Sequence, residues 1–127
     1  MWCVMDEKKI LVVEDSRSFR QQITIAIESR EYEVVGAADG KEGLEMLEQN
    51  PDVMAIITDI NMPEMNGLEM VRHIKNKGTY RGPIMILTTE GDLSVIEKGR
   101  ALGVNCWLVK PFEPAVLIAA IDKLLGA

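Results

Sequence analysis

Glu14 and Asp15 close the apolar run 10–13, Asp59 follows the run 54–58, Thr88 follows 84–87, and Lys110 follows 104–109. An acidic pair, a further carboxylate, a hydroxyl and an ammonium group at the ends of separate apolar runs form one set if the fold gathers those ends. Carboxylates brought within a few Å repel one another, and the repulsion either raises their pKa values or is cancelled by a bound cation. Carboxylate oxygens select a hard ion. A partly protein-ligated site that keeps waters and shares a phosphate suits Mg²⁺ better than a fully caged Ca²⁺ site, and no histidine or thiolate at these ends argues for zinc. Lys110 and Thr88 add a fixed positive charge and a hydroxyl donor, both able to meet phosphoryl oxygens. Such a set describes phosphoryl transfer, in which catalysis is mostly positioning and charge stabilisation. An aspartate can itself be the nucleophile, giving an acyl phosphate.

The elements that must position these groups are legible in the hydrophobic pattern. Five apolar runs of strand length, 10–13, 33–37, 54–58, 84–87 and 104–109, alternate with longer segments of helical spacing. Their near-continuous Val, Ile and Leu content is what burial on both faces of a parallel sheet requires. The spacing predicts a first helix over about 16–29, with Phe19, Ile23 and Ile27 on one face and Ser16 as its cap. A second follows Asp39-Gly40, turns Leu44 and Leu47 inward and stops at Asn50-Pro51. A third runs over about 68–76 with Leu68, Val71 and Ile74 as its stripe and Lys77-Gly78 as its end. The fourth, about 92–102, is the weakest, because Gly99 sits inside it and its apolar stripe is thin. The fifth starts after Pro111-Phe112 and carries Val116, Leu117, Ala120, Ile121 and Leu124. Ligands on open parallel sheets bind at the carboxyl ends of strands near a switch in strand order, which is where the polar set falls.

At 127 residues the chain fits one domain with a single core, and 47% apolar content is too high for a disordered protein. Twenty acidic residues against 14 basic give a net charge of −6, a mean field that repels nucleic acid and anionic membranes. No direct nucleic-acid or membrane partner is expected. Cys3 and Cys106 show no metal-like spacing and little support for a disulfide, which favours a reduced cytoplasmic setting. Residues 1–7 read as a flexible leader and 8–127 as the domain.

Ile-Leu-Val-Val-Glu14-Asp15-Ser, Thr58-Asp59-Ile-Asn61-Met-Pro63-x-Met-Asn-Gly67, Leu87-Thr88 and Val109-Lys110-Pro111-Phe112 together resemble the receiver domain of two-component response regulators. The resemblance spans essentially the whole chain. It implies a doubly wound, flavodoxin-like parallel sheet of five strands in the order 2-1-3-4-5 with five helices. It also implies that Asp59 accepts a phosphoryl group from a phosphohistidine on a histidine kinase or phosphotransfer protein. Asp15 and Asp59 would ligate Mg²⁺ directly, Glu14 through water, and the backbone carbonyl of Asn61 would be a further ligand. Lys110 would pair with Asp59 and then with the phosphate, and Thr88 would bond a phosphate oxygen. In the family that threonine moves toward the phosphate and an aromatic three residues before the lysine turns inward. Here that aromatic is Trp107, where tyrosine or phenylalanine is usual, and it reads either as the moving ring or as a fixed residue of the last strand. Asn61 and Glu90, two positions after Asp59 and Thr88, lie where the family tunes dephosphorylation; the alternative is a pair of solvated loop side chains. Lys110-Pro111 resembles the family's cis peptide. His73, the sole histidine, lies off the apolar stripe of the third helix and reads as a surface residue, and Gly67 as the residue that permits a tight turn.

The expected function is a phosphorylation-dependent signalling switch, a stand-alone and monomeric chemotaxis-like receiver. It would catalyse its own phosphorylation and dephosphorylation without being a turnover enzyme. Its output would be binding through the fourth helix, the last strand around Trp107 and the fifth helix. The alternative is a receiver from a longer response regulator or hybrid kinase with a DNA-binding or enzymatic output. A flavin-binding domain is disfavoured because Glu14-Asp15 would repel the flavin phosphate, and an aspartyl-nucleophile phosphatase because no Asp-x-Asp motif is present.

Overall fold

A computed structural model describes residues 8–89 and 93–126. The proposed leader 1–7 and Glu90 lie outside the described residues. Ten elements alternate along the chain: β1 (Lys9–Val13), α1 (Arg17–Glu28), β2 (Glu33–Ala37), α2 (Gly40–Gln49), β3 (Ala55–Asp59), α3 (Gly67–Lys77), β4 (Ile84–Thr88), α4 (Leu93–Ala101), β5 (Cys106–Val109) and α5 (Pro114–Leu124). All strand pairs are parallel, and the sheet order is β2-β1-β3-β4-β5, as the sequence resemblance implies.

Strand alternation divides the core into two layers. Ile10 and Val12 of β1 point to one face with Ile23 and Ile27 of α1 and Leu117 and Ile121 of α5. Leu11 and Val13 point to the other, among Leu47 of α2 and Met70, Val71 and Ile74 of α3. Covering both faces is what makes the inner strands β1, β3 and β4 apolar along most of their length. The helix starts are set locally. The Ser16 side chain accepts the Phe19 N–H, Asp39 accepts that of Glu42, and Asn66 and Glu69 form a reciprocal capping box. Gly78, at φ 70°, ends α3 in the left-handed conformation.

Several boundaries differ from the sequence expectation. β3 and β4 each run one residue further, so Asp59 and Thr88 are the last residues of their strands rather than the first of the loops. β5 starts at Cys106, because Asn105 is held to the start of β4 by its side chain, which accepts the Ile84 N–H at 3.0 Å. In α3 Met70 is buried and Leu68 only half-buried. In α5 Leu117 and Ile121 alone are fully buried, whereas Val116 is 47% exposed. A step of about 100° per residue turns Val116 away from the sheet when Leu117 faces it. Among the described residues no helix is long and apolar enough to cross a membrane.

Candidate functional site

Parallel register brings the polar ends of four strands to one rim. Val13 pairs with Thr58, so Glu14 and Asp59, the next residues, leave β1 and β3 side by side. Thr88 pairs with Val109, and the N–H of Lys110 donates to the Thr88 carbonyl at 2.7 Å. From β1 the order runs to β2 on one side and to β3 on the other, so the rim between β1 and β3 is the switch point where a crevice opens.

One carboxylate oxygen from each of Glu14, Asp15 and Asp59 lies within 4.8 Å of the others. Glu14 and Asp59 are buried and Asp15 is exposed. Lys110 Nζ lies 2.7 Å from Glu14 Oε1 and 3.2 Å from Asp59 Oδ2. The remaining oxygen of each buried carboxylate accepts a backbone N–H, Glu14 Oε2 from Ser16 at 3.0 Å and Asp59 Oδ1 from Ile60 at 2.8 Å. The site residues proposed from sequence, Glu14, Asp15, Asp59 and Lys110, therefore meet. The pairing differs in one respect, since the shorter contact of Lys110 is to Glu14 and not to Asp59.

Burial holds the Glu14 carboxyl above its ordinary pKa, outweighing the lowering hydrogen bonds from Lys110 and Ser16; Asp15 and Asp59 push it further up. Burial pulls the Lys110 ammonium down, but the hydrogen bond to Glu14 and the charges of Asp59 and Glu14 raise it on balance. The directions agree physically. Negative charge is in excess around Glu14 and Lys110, which favours the protonated form of both. An oxygen-only donor set with excess negative charge and one exposed member, Asp15, fits a hard divalent ion that keeps part of its water shell.

Thr88 is buried at the end of β4 on the same rim, and Asn61 is an exposed side chain on the loop that follows Asp59. Trp107 is half-buried on β5 and packs against the core layer shared with Ile84 and Ile86. His73 is an exposed residue of α3, and the Lys110–Pro111 peptide is cis. Gly67 does something other than relax a turn. It is absent from the glycines with positive φ; instead, a Cβ there would overlap the carbonyl oxygen of Asp59, while its N–H donates to the Ile60 carbonyl at 2.8 Å. Close approach of α3 to the end of β3 is what requires glycine.

Two neighbours escaped the sequence reading. Arg20 Nη1 donates to the Glu14 carbonyl at 2.6 Å, tying α1 to the acidic loop. The ring centroid of Phe19 lies 4.4 Å from Lys110 Nζ. Phe19 carried a signal, the apolar stripe of α1, but that stripe accounts for it as packing alone.

The family described as the response regulator receiver domain matches residues 10–122. The chain is 40% identical over 120 residues to the chemotaxis protein CheY1 of Helicobacter pylori, covering 93% of this chain and 97% of that one. The structure of the chemotaxis protein CheY4 of Vibrio cholerae superposes with a TM-score of 0.88 at 38% identity, covering 94% of this chain and 99% of the other. A probable transcriptional regulator of Cyanophora paradoxa, ycf27, is 35% identical over 122 residues, which are 95% of this chain but 49% of that protein.

Proposed function

The chain belongs to the response regulator receiver domain family and takes part in phosphorylation-dependent signalling, and we propose that it does so as a stand-alone, chemotaxis-type switch, monomeric and cytoplasmic, phosphorylated on Asp59. The observation that carries this reading is the arrangement of Asp59, its Oδ2 3.2 Å from Lys110 Nζ and its carboxylate within 4.8 Å of those of Glu14 and Asp15.

In the proposed step an Asp59 oxygen bonds to phosphorus as the phosphorus–nitrogen bond of a donor phosphohistidine breaks. The imidazole nitrogen leaves with the electron pair. Lys110 and the Thr88 hydroxyl meet the phosphoryl oxygens, where charge must be offset because the nucleophile is itself an anion. Glu14, Asp15, Asp59 and the Asn61 carbonyl would hold Mg²⁺, which supplies the remaining positive charge when bound. Asn61 and Glu90 would flank the water that later hydrolyses the acyl phosphate. The donor would be a histidine kinase or a phosphotransfer protein.

Output would be altered binding at the face of α4, β5 and α5. Leu93, Val109 and Val116, one on each element, are 72%, 51% and 47% exposed, large apolar side chains that support a partner surface there. Trp107 of β5 would carry the change from Thr88 to that face. A partner that prefers the phosphorylated form must in turn favour phosphorylation.

The test is incubation with Mg²⁺ and a small acyl-phosphate donor, followed by intact mass. The expected result is a gain of one phosphoryl group, abolished in Asp59→Asn; a gain that persists in Asp59→Asn, or none in the parent, overturns the reading. The half-length match to the Cyanophora regulator favours a second reading, a receiver within a longer regulator. Sequencing the transcript beyond the codon for residue 127 separates the two.

A further inference from the structure

We infer that Phe19 is a positioning residue for Lys110, its ring face holding the ammonium group in place while carboxylate and phosphoryl oxygens exchange around it. This rests on the receiver reading above and adds a component to its site. The Nζ-to-centroid distance of 4.4 Å is well inside the range of about 6 Å over which a cation is attracted to an aromatic face. The Lys110 side chain is only 16% exposed, so water screens that attraction weakly. Two carboxylates already take the ammonium group, Glu14 at 2.7 Å and Asp59 at 3.2 Å, and the ring offers a third partner of different chemistry.

That difference matters for the reaction. Glu14 and Asp59 are the groups that must turn to the metal and the phosphoryl group, so their hold on Lys110 is the part that changes. The ring takes no proton, ligates no metal and brings no negative charge to a cluster that already has an excess. Its contact with Lys110 can therefore persist through the step. An aliphatic side chain at residue 19 would exclude water from that side of the ammonium group without offering the electrostatic attraction of an aromatic face.

The ring is itself held from two sides. Phe19 lies in the first turn of α1, its N–H donating to the Ser16 hydroxyl, and the next residue, Arg20, anchors that turn to the Glu14 carbonyl at 2.6 Å. Phe112, two residues beyond Lys110, meets Phe19 edge to face with centroids 5.8 Å apart and an interplanar angle of 64°. The aromatic pair thus joins the loop carrying the acidic residues to the loop carrying the lysine.

The test uses the full chain with Phe19→Leu, Phe19→Tyr, and phenylalanine at residue 19 carrying one, two or three fluorines, which weaken the ring quadrupole with little change of shape. Phosphorylation by a small acyl phosphate in saturating Mg²⁺ should slow about three- to tenfold in Phe19→Leu, stay within about twofold in Phe19→Tyr, and fall stepwise with each fluorine. Thermal stability across the fluorinated series should barely move. Without metal or donor, the Lys110 ε-methylene protons should resonate upfield in the parent through the ring current of Phe19 and return to ordinary lysine positions in Phe19→Leu. A flat fluorine series, or ordinary Lys110 shifts in the parent, overturns the inference. A parent that shows the upfield shift but takes no phosphoryl group refutes the receiver chemistry and with it the role of the ring in the step. If Phe19→Leu fails to fold, the fluorinated series and the parent spectrum still decide.

Discussion

The indole of Trp107 fills the space that a side chain at Gly99 would need: a Cβ built on Gly99 would overlap Trp107 Cζ2 and stand 2.6 Å from Cη2. The glycine that weakens the helical pattern of α4 is therefore the partner of the oversized aromatic on β5. The bulky ring on β5 is matched by a missing side chain on the neighbouring helix.

Gly99→Ala should accordingly destabilise the protein, although alanine is the better helix former by about 0.5–1 kcal/mol. Overpacking at the indole costs about 1–3 kcal/mol and wins. Urea unfolding should show the loss, and Trp107→Phe in the same chain should recover most of it. In a Trp2→Phe background the emission of Trp107 should shift in Gly99→Ala. Equal stability of Gly99→Ala and the parent would contradict the packing assignment.

Gly67→Ala should be more damaging, because the overlap is with backbone, the Asp59 carbonyl, which cannot rotate away. A loss of about 2–4 kcal/mol is expected. Weaker Mg²⁺ binding, followed by calorimetry, should accompany it as the end of β3 shifts. A tolerated Gly67→Ala with parental Mg²⁺ affinity would return Gly67 to the role of a simple turn residue.

Lys110→Met removes the ammonium group that pairs with Glu14 and Asp59 and leaves Glu14, 1% exposed, without its 2.7 Å partner. Breaking a buried pair from one side costs about 3–5 kcal/mol at neutral pH. The Glu14 pKa already lies above its ordinary 4.5 in the folded protein, and losing Lys110 removes a lowering influence. A raised folded pKa means that the native state holds the proton more tightly. Stability is therefore fully restored below the unfolded pKa, near 4.5, and lost as pH rises through the folded value. The gap between Lys110→Met and the parent should shrink as pH falls from 8 toward about 5, and added Mg²⁺ should shrink it at neutral pH. A gap independent of both pH and Mg²⁺ would refute this account.

Tyr80 is buried and donates to the Pro83 carbonyl at 2.9 Å, and burial pushes its pKa well up from the ordinary 10. Tyr80→Phe should cost about 1 kcal/mol at pH 7 through the lost hydrogen bond. The neutral hydroxyl is favoured in the folded state, so its contribution is intact below pH 10 and declines above it. The stability difference between Tyr80→Phe and the parent should narrow above pH 10 in urea titrations. A difference that stays constant to pH 11 would argue against a buried, neutral Tyr80.

Much of this could be read from the chain alone. The strands, the cap at Ser16, the stop of the third helix at Lys77-Gly78 and the polar residues that close the apolar runs depend on periodicity and on side chains a few positions away, which is information a sequence carries directly. The misassigned details are those that depend on direction. Val116 belongs to an apolar stripe on paper and to the surface in the fold, because one residue of helical rotation separates it from Leu117.

The order of elements and the kinds of group at the strand ends, Glu14, Asp15, Asp59, Thr88 and Lys110, are legible in the chain without its fold. How those groups pair is a property of the folded molecule: Lys110 lies closer to Glu14 than to Asp59, Phe19 covers the ammonium group, Gly67 yields to the Asp59 carbonyl and Gly99 to Trp107. Each of these is a distance of a few Å between residues far apart in the chain. Such distances follow from the register of parallel strands and the packing of helices on them, which no local pattern encodes.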